Sequence, residues 1–287
     1  MHIGIDIGGT TIKAGVVSED KVVKSIFVKT PKTKEELVHA VIDVIDKLLL
    51  EFCDTVEGIG IGCPGPLNAK YGVILKTPNL PQFTDFGHPL RKKYSMPIIF
   101  DNDANCFTLA EAIYGEGKEH NIVLGITLGT GVGAGLTINK KIYIGRGNAL
   151  ELGHTIINVN EELQLPNLAK GCVESYLGKA GIIALAQKYD LTIKDPIELF
   201  QLAELKNEKA LEVWKEFGFY LGITITNSIH SFDPDCVIIG GAVNQAWQYF
   251  EETMHATIQK NCNTEIPIIT KAQIKEAGII GASLLLK

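Results

Sequence analysis

None of the six cysteines stands in a Cys-x-x-Cys pair, no apolar run approaches the ~20 residues that span a bilayer, and basic residues are not in excess in this 287-residue chain. Each absence removes a class of protein. The cysteines at 53, 63, 106, 172, 236 and 262, scattered and with no secretory leader ahead of them, read as free thiols in a reducing cytoplasm, and no disulfide framework is expected. No membrane partner is expected either. The 27 basic and 33 acidic residues leave a net charge of −6, which argues against nucleic acid as the main partner. What is present is a globular composition, 46% hydrophobic and 21% charged. The length is nearly twice the roughly 150 residues of a single domain, which implies two packed domains handling small molecules.

The pattern along the chain alternates strand and helix, the mark of an α/β architecture. Residues 2–8, 11–17 and 22–28 read as a three-stranded meander, broken at Gly8-Gly9 and at the polar Ser18 to Lys21. Thr33 with Glu36 forms a capping-box signature ahead of Leu37, Val41, Ile45 and Leu48, which recur at helical spacing. Strands are expected at 56–62 and 97–103, with a helix from about Ala104 to Gly115–Gly117. A second cycle opens at Ile122 with a strand, a glycine turn and a hairpin bent near Asn139-Lys140. A polar loop (145–170) and helices near 172–188, 196–204 and 208–231 follow; then come a strand at 236–241, a helix over 245–260, a strand at 266–271 and a helix from about 278. The stretches IDIGGTTIKAGVV (5–17) and ITLGTGVGAGLT (126–137) share the order strand, glycine–threonine turn, strand, a weak internal repeat. No low-complexity linker separates the halves, so the domain boundary is expected as two chain crossings, near residues 110 and 272.

Three glycine clusters and two acidic ones carry the chemistry. Asp6-Ile7-Gly8-Gly9-Thr10-Thr11 places two glycines and two hydroxyls directly after a carboxylate. Glycines admit a polyphosphate to the backbone, N–H groups and hydroxyls donate to it, and an aspartate can hold Mg²⁺ directly or through water. A plain hairpin turn is the alternative; the hydroxyls and the aspartate favour phosphate. Gly129 to Gly135 also fits the G-x-G-x-x-A dinucleotide pattern, with Glu151 about 20 residues on. That fingerprint must open a helix, whereas here the chain continues with strand period, so a second phosphate loop is the better reading. Gly240-Gly241 after CVIIGG could lie under an adenine or ribose, or simply allow tight packing. Asp101-Asn102-Asp103-Ala104-Asn105 sets aspartates and amides at a helix N-terminus. One of them should cap the helix; Asp103 is taken as the base that accepts a sugar hydroxyl's proton, with Asn102 fixing the hydroxyl pattern. Glu151, His154 and Glu174 form a candidate set of hydroxyl ligands, each of which could equally be an ordinary surface or core residue.

In this order the motifs resemble the ROK family of sugar kinases and repressors, within the actin, hexokinase and heat-shock-70 ATPase superfamily, over nearly the whole chain. DIGGTTIK resembles the first phosphate loop, PIIFDNDAN the segment with the catalytic aspartate, ITLGTGVGAG the second phosphate loop, VIIGGAV the adenosine segment, and AGIIGA (277–282) the helix that returns to the first domain. The resemblance implies a two-domain actin-like ATPase (ribonuclease H-like) fold with an interdomain cleft. Residues 1–110 plus 272–287 would form a small α/β domain and 111–271 a larger one. It implies nucleotide contacts from Asp6, Gly8, Gly9, Thr10, Thr11, Lys13, Thr130, Gly131, Gly133, Gly240 and Gly241, with Mg²⁺ on Asp6. It implies Asp103 as base, and sugar contacts from Pro64, Gly65, Asn79, Asn102, Glu151, His154 and Glu174.

The activity implied is ATP-dependent phosphorylation of a hexose at a primary hydroxyl, glucose 6-OH first, by a cytoplasmic homodimer. Rival substrates are N-acetylmannosamine, N-acetylglucosamine, fructose and β-glucosides. Two readings from other classes stand beside it. A sugar-responsive repressor would carry a DNA-binding helix-turn-helix ahead of the first strand, which here begins at residue 2 or 3, and it is therefore not expected. An actin-like ATPase would hydrolyse ATP without stimulation by sugar.

One departure from the family pattern concerns zinc. Members with a structural zinc carry C-x-C-G-x-x-G-C-x-E with an upstream histidine. Aligned on Gly171-Cys172-Val173-Glu174, this chain has Leu165, Asn167 and Leu168 in place of the first two cysteines and the first glycine. His154 and Cys172 are two ligands where a closed tetrahedral site needs four, so no zinc is expected and the loop 158–170 must be held by packing.

Overall fold

A computed structural model describes the chain except residues 78, 79, 149, 162 and 163. The first half runs β1 (His2–Ile7), β2 (Thr11–Ser18), β3 (Lys21–Lys29), α1 (Lys34–Phe52) and β4 (Ile59–Cys63). Short β5 (Leu67–Asn68) and β6 (Val73–Ile74), then α2 (Gly87–Lys93), β7 (Ile98–Asn102) and α3 (Asp103–Tyr114) complete it. The second half runs β8 (Ile122–Leu128), β9 (Val132–Ile138), β10 (Lys141–Ile142), α4 (Glu174–Leu177), α5 (Lys179–Lys188), α6 (Pro196–Glu204) and α7 (Glu208–Phe232). It ends with β11 (Cys236–Gly240), α8 (Trp247–Asn261), β12 (Ile268–Lys271) and α9 (Ala277–Leu284). No described helix is long and apolar enough to cross a membrane.

The two principal sheets repeat one strand order, β3-β2-β1-β4-β7 and β10-β9-β8-β11-β12. In the first, β1 and β2 pair antiparallel while β1, β4 and β7 run parallel; in the second, β8, β11 and β12 run parallel. The internal similarity of 5–17 and 126–137 is therefore a similarity of fold.

The chain forms two compact units, residues 1–121, 135–150 and 272–287 in one and 122–134 and 151–271 in the other. This division differs from the expected one at 111–121 and 135–150. Local bonds show why: α3 continues to Tyr114, and the Lys140 ammonium of the β9–β10 turn donates to the carbonyls of Gly117, Lys118 and His120. That turn has positive φ at both Asn139 (51°) and Lys140 (63°), the tight hairpin geometry whose twist suits paired strands.

In the first unit α1 begins at the Thr33–Glu36 box and buries Leu37, Val41, Val44, Ile45 and Leu48 among the core residues of the β1–β4–β7 sheet. Five such side chains represent on the order of 10 kcal/mol of gross apolar burial. On α9, glycine decides the packing: a Cβ on Gly4 would stand 1.9 Å from the Ile279 carbonyl oxygen, and one on Gly60 1.7 Å from that of Ala282. Strands β1 and β4 thus accept the returning helix directly on their backbones. The helix expected over 245–260 begins as a short 3-10 turn, Ala242–Ala246, before α8, and the expected 172–188 helix is divided between α4 and α5 at Gly178.

Candidate active site

In the first unit the parallel strands bring three acidic positions to one end of the sheet. Register pairs Asp6 with Gly62 and Gly62 with Asp101, so Asp6 and Asp101 lie two strands apart, about 10 Å at Cα. Asp103 follows at the start of α3; a Cβ on Gly62 would sit 3.5 Å from the Asp103 Cα. Cys63 and Cys106 are buried beneath this group. Burial, and after it the charges of Asp6, Asp101 and Asp103, holds both thiols well above their ordinary range, so these cysteines stay protonated.

Each carboxylate has distinct neighbours. Asp6 faces Lys13 across the β1–β2 pair; burial raises its carboxyl above the usual carboxylate range and Lys13 opposes the shift. A Cβ on Gly278, in the first turn of α9, would meet the Asp6 carboxylate at 2.7 Å. Asp101 accepts the Asn102 N–H and the Asn105 side-chain amide, both at 2.7 Å, and burial raises it. Asn102 is the helix cap: its Oδ1 accepts the N–H groups of Ala104 (2.8 Å) and Asn105 (3.3 Å), which leaves its amide nitrogen as the group to offer a ligand. Asp103 Oδ1 accepts from its neighbour's N–H, Ala104, at 2.9 Å.

The first glycine turn closes through the Gly8 N–H to the Thr11 carbonyl at 3.0 Å. Its carbonyls are tied back: Thr30 Oγ1 donates to Gly8 (2.7 Å) and Lys32 Nζ to Gly9 (3.1 Å). Thr30 and Lys32 stand just beyond β3 in no motif, and sequence reasoning missed them. Thr10 is exposed, Thr11 half-buried, and Pro64 and Gly65 half-buried after β4. Asn79 lies outside the described residues.

The second unit assembles the remaining set. The turn Gly129–Gly131 closes at 3.0 Å, and the Lys179 N–H at the start of α5 donates to the carbonyls of Gly129 and Thr130. The Val132 N–H donates to Glu174 Oε2 at 2.7 Å. Glu174 therefore braces the glycine loop with one oxygen, a role its sequence neighbourhood did not reveal. Gly131 makes room for it: a Cβ there would lie 2.4 Å from that oxygen. Glu151 precedes a 3-10 turn, Leu152–His154, that His154 ends, with Glu151 Oε2 3.9 Å from His154 Nε2. Burial raises Glu151, His154 opposes the shift and the Glu174 charge adds to it, so the three residues share one electrostatic neighbourhood.

Gly133 is half-buried in β9. Gly240 ends β11, and Gly241 has φ 97° with a Cβ position 2.1 Å from the Leu128 carbonyl oxygen, so backbone packing by itself demands glycine there. Among the described residues no three His, Cys, Asp or Glu side chains gather as a metal-holding group.

Matching sheets, each with a glycine–threonine turn after its first strand and carboxylates nearby, define an actin-like α/β protein of the phosphoryl-transfer class. The chain belongs to the ROK family, whose profile matches residues 2–287, and it stands with that family's kinases: it is an enzyme, a phosphotransferase. The glucokinase of Thermotoga maritima is 29% identical over 99% of this chain and 96% of its own length. The N-acetyl-D-glucosamine kinase of Haemophilus influenzae is 31% identical over 99% of both. A ROK family glucokinase from Streptomyces griseus, solved in complex with glucose and AMPPNP, superposes with a TM-score of 0.86 at 26% identity, covering 99% of this chain and 98% of that one.

Proposed function

We propose that this enzyme transfers the γ-phosphoryl group of ATP to the 6-hydroxyl of a hexose, glucose first. The observation that carries the reading is the common placement of Asp6, Asp103 and the Gly8–Thr11 turn around the carboxyl ends of β1, β4 and β7, where nucleotide and acceptor chemistry meet in such sheets. Asp103 accepts the O6 proton as the O6–Pγ bond forms and the bond from Pγ to the bridging β,γ-oxygen breaks, with ADP leaving. Asn102 offers its amide nitrogen to a sugar hydroxyl, and Pro64 and Gly65 line the same approach. The resemblance assigns further hydroxyl contacts to Glu151, His154 and Glu174, whose second oxygen is not the one that accepts the Val132 N–H.

Gly8, Gly9, Thr10, Thr11 and Lys13 of the first unit and Thr130, Gly131 and Gly133 of the second are the phosphate contacts that the resemblance supports, and Gly240 and Gly241 the adenosine contacts. Asp6 suits Mg²⁺ carried in on the nucleotide, since Mg²⁺ binds through one or two carboxylates plus substrate phosphates, and the ion supplies charge neutralisation there. No zinc is proposed. The resemblance further supports a cytoplasmic homodimer; light scattering should then give about twice the 31.2 kDa of one chain.

The second reading is an N-acetylhexosamine kinase, favoured by the Haemophilus influenzae relative's name at 31% identity. An ATP-coupled screen over glucose, mannose, fructose, the N-acetylhexosamines and cellobiose separates the two. The proposal fails if none of these sugars raises ATP turnover.

A further inference from the structure

We propose that Tyr176 is a positioning residue for the sugar contacts of the second unit: its phenol, held by Glu161 and Asn158, fixes the segment that follows His154 against the helix that carries Glu174. The inference rests on the sugar-kinase reading. Tyr176 lies two residues beyond Glu174 on α4 and is 3% exposed. Its hydroxyl donates to Glu161 Oε2 at 2.7 Å and accepts from Asn158 Nδ2 at 3.0 Å. Its ring stacks on Tyr220 of α7, with centroids 3.8 Å apart.

The same two segments are joined by their backbones. The Val173 N–H donates to the Thr155 carbonyl at 2.9 Å, and those of Ile157 and Asn158 donate to Gly171 at 2.8 and 3.1 Å. His154 is the residue before this ladder and Glu174 the residue after it. A shift of one segment along the other would therefore move Glu151 and His154 against Glu174. Burial and the Glu161 carboxylate hold the Tyr176 phenol well above its ordinary range, in keeping with its donating to that carboxylate.

A zinc does not fit here as the brace. Leu165, Asn167 and Leu168 offer no ligand, and Cys172 is buried with its sulfur 3.2 Å from Ser175 Oγ, whose hydroxyl lies 3.3 Å from the Ala169 carbonyl. Tyr176, Glu161 and Asn158 occupy the role with side chains alone.

The test is Tyr176→Phe, which keeps the stacked ring and removes only the hydroxyl. The expected result is a KM for sugar raised about 10-fold, with kcat and the KM for ATP within about twofold. Tyr176→Phe/Glu161→Gln should be no worse than Tyr176→Phe alone, because both remove one bond. Hydrogen exchange over residues 155–173, which needs no turnover, should be faster in Tyr176→Phe than in the wild type. Unchanged sugar KM together with unchanged exchange would overturn the inference. So would a stoichiometric zinc in the purified protein whose removal raises the sugar KM. A wild type without sugar-dependent turnover would instead overturn the kinase reading, and the exchange experiment would then decide this one.

Discussion

Replacing Gly131 with alanine should uncouple the second glycine loop from Glu174. The new methyl carbon would stand 2.4 Å from Oε2, 3.0 Å from Cδ and 3.3 Å from Oε1 of Glu174, closer than a carboxylate can remain. The Val132 N–H would lose its 2.7 Å charged acceptor. A hydrogen bond to a charged group contributes about 1.5–3 kcal/mol, which corresponds to a loss of roughly 10- to 150-fold in kcat/KM for ATP if the loop is held only by that bond. The sugar KM should rise too, since the displaced carboxylate is the proposed hydroxyl ligand. Steady-state kinetics with each substrate varied in turn gives both numbers. Combining Gly131→Ala with Glu174→Asp, one methylene shorter, should recover part of the loss in ATP kcat/KM. Kinetics within twofold of the wild type for Gly131→Ala would refute the coupling.

Other outcomes follow from single side chains. Asp103→Asn should lower kcat by about 10²- to 10⁴-fold with little change in melting temperature, because the helix cap is Asn102; near wild-type turnover would remove Asp103 as base. Asp6 has its carboxyl raised by burial, so its protonated form is the one the fold favours; its unfavourable ionisation is absent at low pH and grows as pH rises through the folded value. Asp6→Asn should therefore raise the melting temperature at pH 7, with the gain shrinking toward pH 4, while abolishing Mg·ATP-dependent turnover; a melting point lowered at pH 7 would contradict this. Glu111 is fully buried and accepts N–H groups from Ile274 at 3.0 Å and Glu116 at 3.3 Å, where the chain enters the first unit again. Glu111→Ala should cost about 2–4 kcal/mol, seen as a melting point lower by several degrees, and an unchanged melting point would show those amides find other partners.

Much of the fold was legible because strands and helices announce themselves locally. The alternation of β1, the Thr33–Glu36 box and the Asn139–Lys140 turn all signal their structure within a few residues. The stretch 64–96 was not legible: β5 and β6 are two residues each, and α2 begins at a cap residue, Phe86, with no capping side chain. At the site, Asp6, Asp103 and the glycine turns stood out because each motif is contiguous. The bond from Val132 to Glu174 spans 42 residues, and the Thr30 and Lys32 ties to the first turn span 22 and 23, so no local pattern could reveal them. Asn102 shows the opposite difficulty. One residue fits both a cap and a sugar contact, and only geometry shows that its carbonyl oxygen serves the helix while its nitrogen does not.

The central claim is phosphoryl transfer from ATP to a hexose with Asp103 as base, and ³¹P NMR of the wild-type and Asp103→Asn proteins with Mg·ATP and glucose tests it most directly. Wild type should convert the γ-phosphate into a sugar 6-phosphate ester without free phosphate, and Asp103→Asn should leave ATP intact over the same time. Release of inorganic phosphate at a rate indifferent to glucose and to every other hexose in the screen would contradict the account.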